Sequence, residues 1–120
     1  MITTKQIGDK GENLAKDFLE ENGYVVLCVN YRFKKAEVDV IAENDDFIVF
    51  IEVKTRATSR LIEPEKAVDN KKQKLIISAA QNYIEENQFD KEARFDIISI
   101  LYSKTKHSIN HIQDAFYAGS

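Results

Sequence analysis

The sequence predicts an α/β protein: a mixed five-stranded sheet flanked by helices, in the order α-β-β-β-α-β-β. Three observations lead there. Two segments repeat apolar residues at helical spacing, near residues 4–22 and 70–86. Five shorter segments rich in Val, Ile, Phe and Tyr surround them, bounded by turn chemistry. Three of these five follow one another with no helix between, which points to an antiparallel meander. The second helix then supplies the crossover that a parallel neighbour needs.

Taken in order, Ile7, Leu14, Ala15, Phe18 and Leu19 make the stripe of the first helix, and Gly23 ends it. Tyr24 to Phe33 is a strand by composition. Glu37 to Glu43 alternates, with Val38, Val40 and Ala42 against Glu37, Asp39 and Ile41. Asn44, Asp45 and Asp46 are turn residues. Phe47 to Arg56 is long and mostly apolar, as expected of a central strand. Residues 57–63 read as a loop, and Pro64 can open a helical turn. Asp69 or Asn70 can cap the second helix, whose stripe is Lys72, Ile76, Ala79, Ala80 and Tyr83. Arg94 to Tyr102 is a strand, and Ser108 to Tyr117 contains a shorter one.

The 120 residues point to one domain, 1–120, with 43% apolar and 31% charged side chains, the balance of a globular chain. A net charge of −3 argues against coating nucleic acid through bulk charge, yet leaves room for a basic surface around an acidic site. No apolar run is long enough to span a bilayer. The start, MITTKQIGDKGEN, lacks a hydrophobic signal region, so the expected location is cytoplasmic. The lone Cys28 lies in YVVLCV and reads as a buried thiol. His107 and His111 would share a strand face, but no third ligand stands near, so zinc is not expected.

The chemistry gathers at FIEVKTR, residues 50–56. Side chains two apart on a strand share a face, so Glu52 and Lys54 point one way and Val53 the other. A hairpin about Asp45-Asp46 sets Asn44 opposite Phe47 and Asp39 opposite Glu52. Directly opposed residues have Cβ atoms about 4.5–5.5 Å apart. Two carboxylates that close repel unless a cation or proton sits between them. Asp39, Glu52 and the backbone carbonyl of Val53 form an all-oxygen set suited to magnesium. Lys54 could help deprotonate an attacking water or neutralise charge on a phosphate. Taken singly, the same residues read as a surface ion pair beside a solvated row. Lys72, on a core-facing stripe, must snorkel or find a charge. Arg32, Lys34, Lys35, Arg56 and Arg60 are cations that could line a phosphate-binding surface. Arg94 and Asp96 read first as a structural ion pair.

An Asp followed about a dozen residues later by Glu-x-Lys resembles the PD-(D/E)-x-K nuclease superfamily. An ordered set extends the likeness to the small bacterial YraN family, which is similar to archaeal Holliday-junction resolvases. It comprises Gly8, Gly11-Glu12 and Ala15, Asn30-Tyr31-Arg32, Glu37-Val38-Asp39, and Phe50 through Arg56. Ala67-Val68, Lys72, Arg94-Phe95-Asp96 and Ala115-Phe116 complete it. The resemblance implies a restriction-endonuclease-like fold, a Mg2+ or Mn2+ cofactor, and DNA as partner, with a homodimer by analogy. It implies Asp39 and Glu52 as ligands and Lys54 as base or charge stabiliser. Glu12 matches a helical glutamate of the resolvases, a further metal-site carboxylate; from spacing alone, a solvated helix glutamate fits as well. One departure stands out: the family usually has glycine before Glu-x-Asp, where this chain has Ala36. If that position requires a positive φ, alanine costs stability there.

The expected function is therefore metal-dependent hydrolysis of DNA phosphodiester bonds, branched or single-stranded DNA being the expected substrates. The alternative is a catalytically silent module on the same fold that binds nucleic acid or protein.

Overall fold

The computed structural model describes residues 4–57, 68–103 and 106–117. Its elements are α1 (Thr4–Glu21), β1 (Val25–Phe33), β2 (Ala36–Glu43), β3 (Phe47–Ala57), α2 (Asn70–Asn87), β4 (Glu92–Tyr102) and β5 (His107–Phe116). The five strands form one sheet in chain order, β1-β2-β3-β4-β5. Only the β3–β4 pair is parallel; the other three are antiparallel. The mixed sheet, the meander and the central place of β3 are as the sequence predicts.

The helices take opposite faces because β3 is apolar on both. Ile48 and Phe50 join Val38, Ile41, Phe95 and Ile97 under Ile76, Ala79 and Ala80 of α2. Val49 and Ile51 join Val40, Ala42, Ile98 and Ile100 under Ala15 and Leu19 of α1. Period-two alternation on a strand buried on both sides gives this three-layer arrangement. Phe50, Phe95 and Phe116 stack in a row on the α2 side, with ring centroids 5.6 and 5.3 Å apart.

Local chemistry fixes the element ends. At the end of α1, Gly23 takes φ 87, its N–H donates to Glu20 O, and Tyr24 N–H donates to Leu19 O. This pairing satisfies carbonyls the helix would leave open. Asp69 caps α2 by accepting the Lys72 N–H at 2.9 Å. Asn44 Oδ1 accepts the Asp46 and Phe47 amides at 3.0 and 2.8 Å, closing the β2–β3 turn. Lys91 braces that turn from Glu43 Oε2 and Asn44 O. Between β1 and β2 the chain turns at Lys34-Lys35, and the left-handed backbone falls on Lys34, φ 56. Ala36 is not among the residues with positive φ; it is buried and pairs with Phe33. The strain anticipated for an alanine there does not arise.

Some expectations need adjustment. Cys28 is half-buried rather than buried, because the β1–β2 register shifts between Val26 and Cys28 on an edge strand. Ala57 still belongs to β3; the remainder of the expected 57–63 loop, with Arg60 and Pro64, lies outside the described residues. β5 spans 10 residues, so the last strand is nearly as long as β4. Phe116 is buried in the α2-side core and Tyr117 is exposed, which makes the chain's aromatic end a core edge. Arg94 and Asp96 do form a buried ion pair, at 2.8 Å. It recruits two more residues: His111 Nε2 lies 2.7 Å from Asp96 Oδ2, and the Tyr24 hydroxyl accepts from Arg94 Nη2. No described helix is long and apolar enough to cross a membrane.

Candidate active site

The β2–β3 hairpin keeps the register that its turn residues imply, from Glu43 opposite Ile48 to Val40 opposite Ile51. One more step would set Asp39 opposite Glu52, but the ladder stops there. On the other side of β2, Val40 pairs with Val29 and Val38 with Tyr31. Between them Asn30 has φ 52. Both irregularities fall at Asp39. Consequently Val38 packs on the α2 side and Val40 on the α1 side, although two residues apart on a regular strand share a face.

The missing rung is replaced by a side chain. Val53 N–H, which would have bonded to β2, donates to Asp39 Oδ2 at 2.7 Å. A strand residue's N–H and C=O point towards the same neighbour, so the Val53 carbonyl also faces the gap. The gap is a cleft of about 250 Å³ lined by Lys35, Asp39, Glu52 and Lys72, with Leu75 and Ile76 as apolar wall.

Glu52 is only 6% exposed. Lys72 Nζ lies 3.0 Å from its Oε1, and Lys54 Nζ lies 3.7 Å from the same oxygen. Its Oε2 is buried and has no hydrogen-bond partner among the described residues. A surface ion pair at a strand end is thus ruled out for Glu52. An unpaired buried carboxylate oxygen is costly, and it lies beside a second carboxylate. Burial, then the Glu52 charge, raise the Asp39 pKa to about 8; a side-chain hydrogen bond to Glu52 and the Glu12 charge add to the effect, and the Val53 amide opposes it. Burial and the adjacent Lys72 ammonium lower Lys54, against the pull of Glu52. Lys72 shifts the other way: burial opposes its charge, but Lys54 and Glu52 outweigh that and hold it above the usual lysine range.

Asp39, Glu52, Lys54 and Lys72 are therefore brought together, and Val53 contributes its backbone. Glu12 lies on α1. With the Asn30 amide nitrogen turned towards it, Asn30 donates to Glu12 Oε1 and Oε2 at 3.2 and 3.3 Å. The Glu12 charge acts on Asp39, and no three acidic, His or Cys side chains among the described residues are grouped to hold an ion. The oxygen set is the two carboxylates and the Val53 carbonyl. That set suits an ion that keeps several waters, such as Mg2+; two carboxylates this close hold either a proton or a cation between them.

Among the expected nucleic-acid-binding cations, Lys35 and Lys72 line the cleft. Arg56 is near enough to help lower Lys54. Arg32, 77% exposed, is paired with Glu37 at 3.2 Å. Lys34 stands over its neighbour's ring, 5.2 Å from the Phe33 centroid. Sequence reasoning did not single out Asn30 as a functional residue. An asparagine amid strand residues was its signal, since Asn tolerates left-handed backbone better than most residues.

The fold and cleft define an α/β protein whose two acidic strand residues and two lysines meet where neighbouring strands part. The chain matches the model of the Uncharacterised protein family UPF0102 over residues 11–100, and it belongs to that family. A UPF0102 protein of Christiangramia forsetii is 42% identical over 117 residues, covering 98% of both chains. One from Parabacteroides distasonis is 40% identical over 118 residues, again 98% of both. One from Geobacter metallireducens is 42% identical over 116 residues, 96% of this chain and 95% of its own. This is the family that the ordered residues resemble.

Proposed function

We propose that the chain is a divalent-metal-dependent nuclease that hydrolyses phosphodiester bonds in DNA. The single observation that supports this most is the buried Glu52 carboxylate, its Oε2 unpartnered, beside Asp39 and two lysines. Asp39, Glu52 and the Val53 carbonyl would hold Mg2+ or Mn2+. Bound there, the ion supplies Lewis-acid stabilisation of charge on the phosphate and activation of water.

The chain's own groups do the rest. Asp39 is oriented by the Val53 amide. Lys54, with its proton affinity lowered by burial and by Lys72, is suited to exchange a proton at Nζ with the attacking water or to donate to a phosphate oxygen. Lys35, lining the cleft, and Arg56, near Lys54, would hold backbone phosphates. The proposed substrates are branched or single-stranded DNA; among the described residues the cations lining the cleft are too few for a long duplex footprint. A homodimer would double the surface offered to a branched substrate.

The test is a panel of linear, single-stranded, flapped and four-way DNA substrates with Mg2+ or Mn2+. Asp39→Ala and Glu52→Ala should each abolish cleavage. Cleavage undiminished in both purified variants would refute the assignment. Retention of structured DNA without turnover would favour the silent binding module instead.

A further inference from the structure

Building on the reading of Asp39 and Glu52 as metal ligands, we infer that Lys72 is the resident counter-ion of the cleft. A divalent cation entering between the two carboxylates displaces its ammonium to the cleft mouth, where it becomes a phosphate-binding group.

Two ammonium groups converge on one oxygen, Glu52 Oε1, at 3.0 and 3.7 Å. Like charges held that close repel, so one of the two is the more easily surrendered. Lys54 rises from the floor of the sheet and its side chain is 17% exposed, whereas that of Lys72 is 39% exposed. Lys72 has the open exit. Its backbone is fixed in the first turn of α2, where Asp69 accepts its N–H. The anchor stays still while four methylenes swing.

The charge balance sets the direction of the exchange. Once a cation takes the place of the Asp39 proton, both carboxylates are ionised and their two charges offset those of Lys54 and Lys72. A divalent ion added to that set leaves an excess of two positive charges, and the mobile ammonium is the one repelled outward. An ammonium at the mouth of a cleft with positive excess attracts a phosphodiester anion. The coupling is reciprocal: a phosphate that draws Lys72 out relieves competition at Glu52, and so strengthens ion binding. Loading with metal and loading with substrate thus reinforce each other, and the side chain that links them is a positioning residue.

The experiment uses the full chain, Ca2+ as probe and no nucleic acid, with affinity read by titration calorimetry. Lys72→Met should bind Ca2+ about tenfold more tightly than the native chain, the order of a typical coupling factor, whereas Lys72→Arg should stay near native. In the native chain, the Lys72 Nζ resonance should move from an ion-paired to a solvent-exchanging position as Ca2+ saturates. An unchanged or weaker Ca2+ affinity in Lys72→Met overturns the exchange. If that variant does not fold, an unmoved Nζ resonance at saturation overturns it on the native chain alone. Asp39→Asn separates the two readings: Ca2+ binding that survives it defeats the metal site itself, whereas its loss, with Lys72→Met unchanged, defeats only the exchange.

Discussion

A methyl group on Gly11 would collide with Thr55 Oγ1, because α1 crosses β3 there with no side chain between them. Gly11→Ala must therefore push the helix off the strand or force Thr55 out of place. We expect a loss of about 1–3 kcal/mol, the usual cost of overpacking, read as a lower urea midpoint. It should also disturb the cleft end of β3, since Lys54 precedes Thr55. Lys54→Met is expected to act on chemistry rather than affinity. Turnover should fall by about 10²–10⁴-fold, the usual contribution of a positioned acid–base group, with DNA retention little changed. A matched loss of retention would make Lys54 a binding residue instead. Single residues were legible in the sequence where one face or one charge decided them. Glu52 and Lys54 are such a case, because alternation along β3 alone puts them together. Ala36 was not: composition could not say that the left-handed turn residue is Lys34, two positions earlier.

At the scale of elements, Asp96 ties α1's end to β4 and β5. Its carboxylate takes Arg94, His111 and the Asp114 N–H, and Tyr24 joins through Arg94. Burial alone would raise its pKa, but His111, Arg94 and the Asp114 amide outweigh burial and hold it below the usual carboxylate range. A depressed pKa stabilises the fold above the unfolded value, and that stability is lost as pH falls through the folded value. Urea midpoints should accordingly drop below about pH 4, the ordinary Asp range. Asp96→Asn should lose about 3 kcal/mol at neutral pH, as removal of one partner of a buried pair does, and should show a flatter acid limb. An equally steep acid limb in the variant would assign it to other carboxylates. Element order and type were readable because helical and strand periods differ and the turns are marked by Asn44-Asp45-Asp46 and Gly23. The break at Asp39 was not. Hairpin register predicts which residues face each other, and it did so from Glu43 to Val40. It cannot predict where the ladder stops, which depends on the left-handed Asn30 on the far side of β2.

For the whole molecule, the cleft makes stability depend on what neutralises it. Asp39 retains its proton up to about pH 8 in the fold but releases it near 3.8 when unfolded. A raised carboxyl pKa makes the metal-free protein most stable below the lower value and progressively less so as pH rises through the upper one. The slope is at most about 1.4 kcal/mol per pH unit. In chelator, thermal midpoints should fall between pH 5 and 8, and Asp39→Asn should remove most of that fall. Millimolar Mg2+ should flatten it in the native chain, since a bound cation would take the proton's place; a slope indifferent to Mg2+ would count against ion binding at Asp39. The sheet itself distributes support unevenly around this cleft. β3 is paired with β4 at all eleven of its positions, Phe47 to Ala57, but with β2 at only four, Ile48 to Ile51. Its cleft end is clamped along one margin by a full ladder and held along the other through the Asp39 side chain, like a bench fixed to a wall. Tools laid on such a bench can be exchanged without rebuilding the room, so this architecture can acquire new chemistry, or lose it, while the scaffold persists.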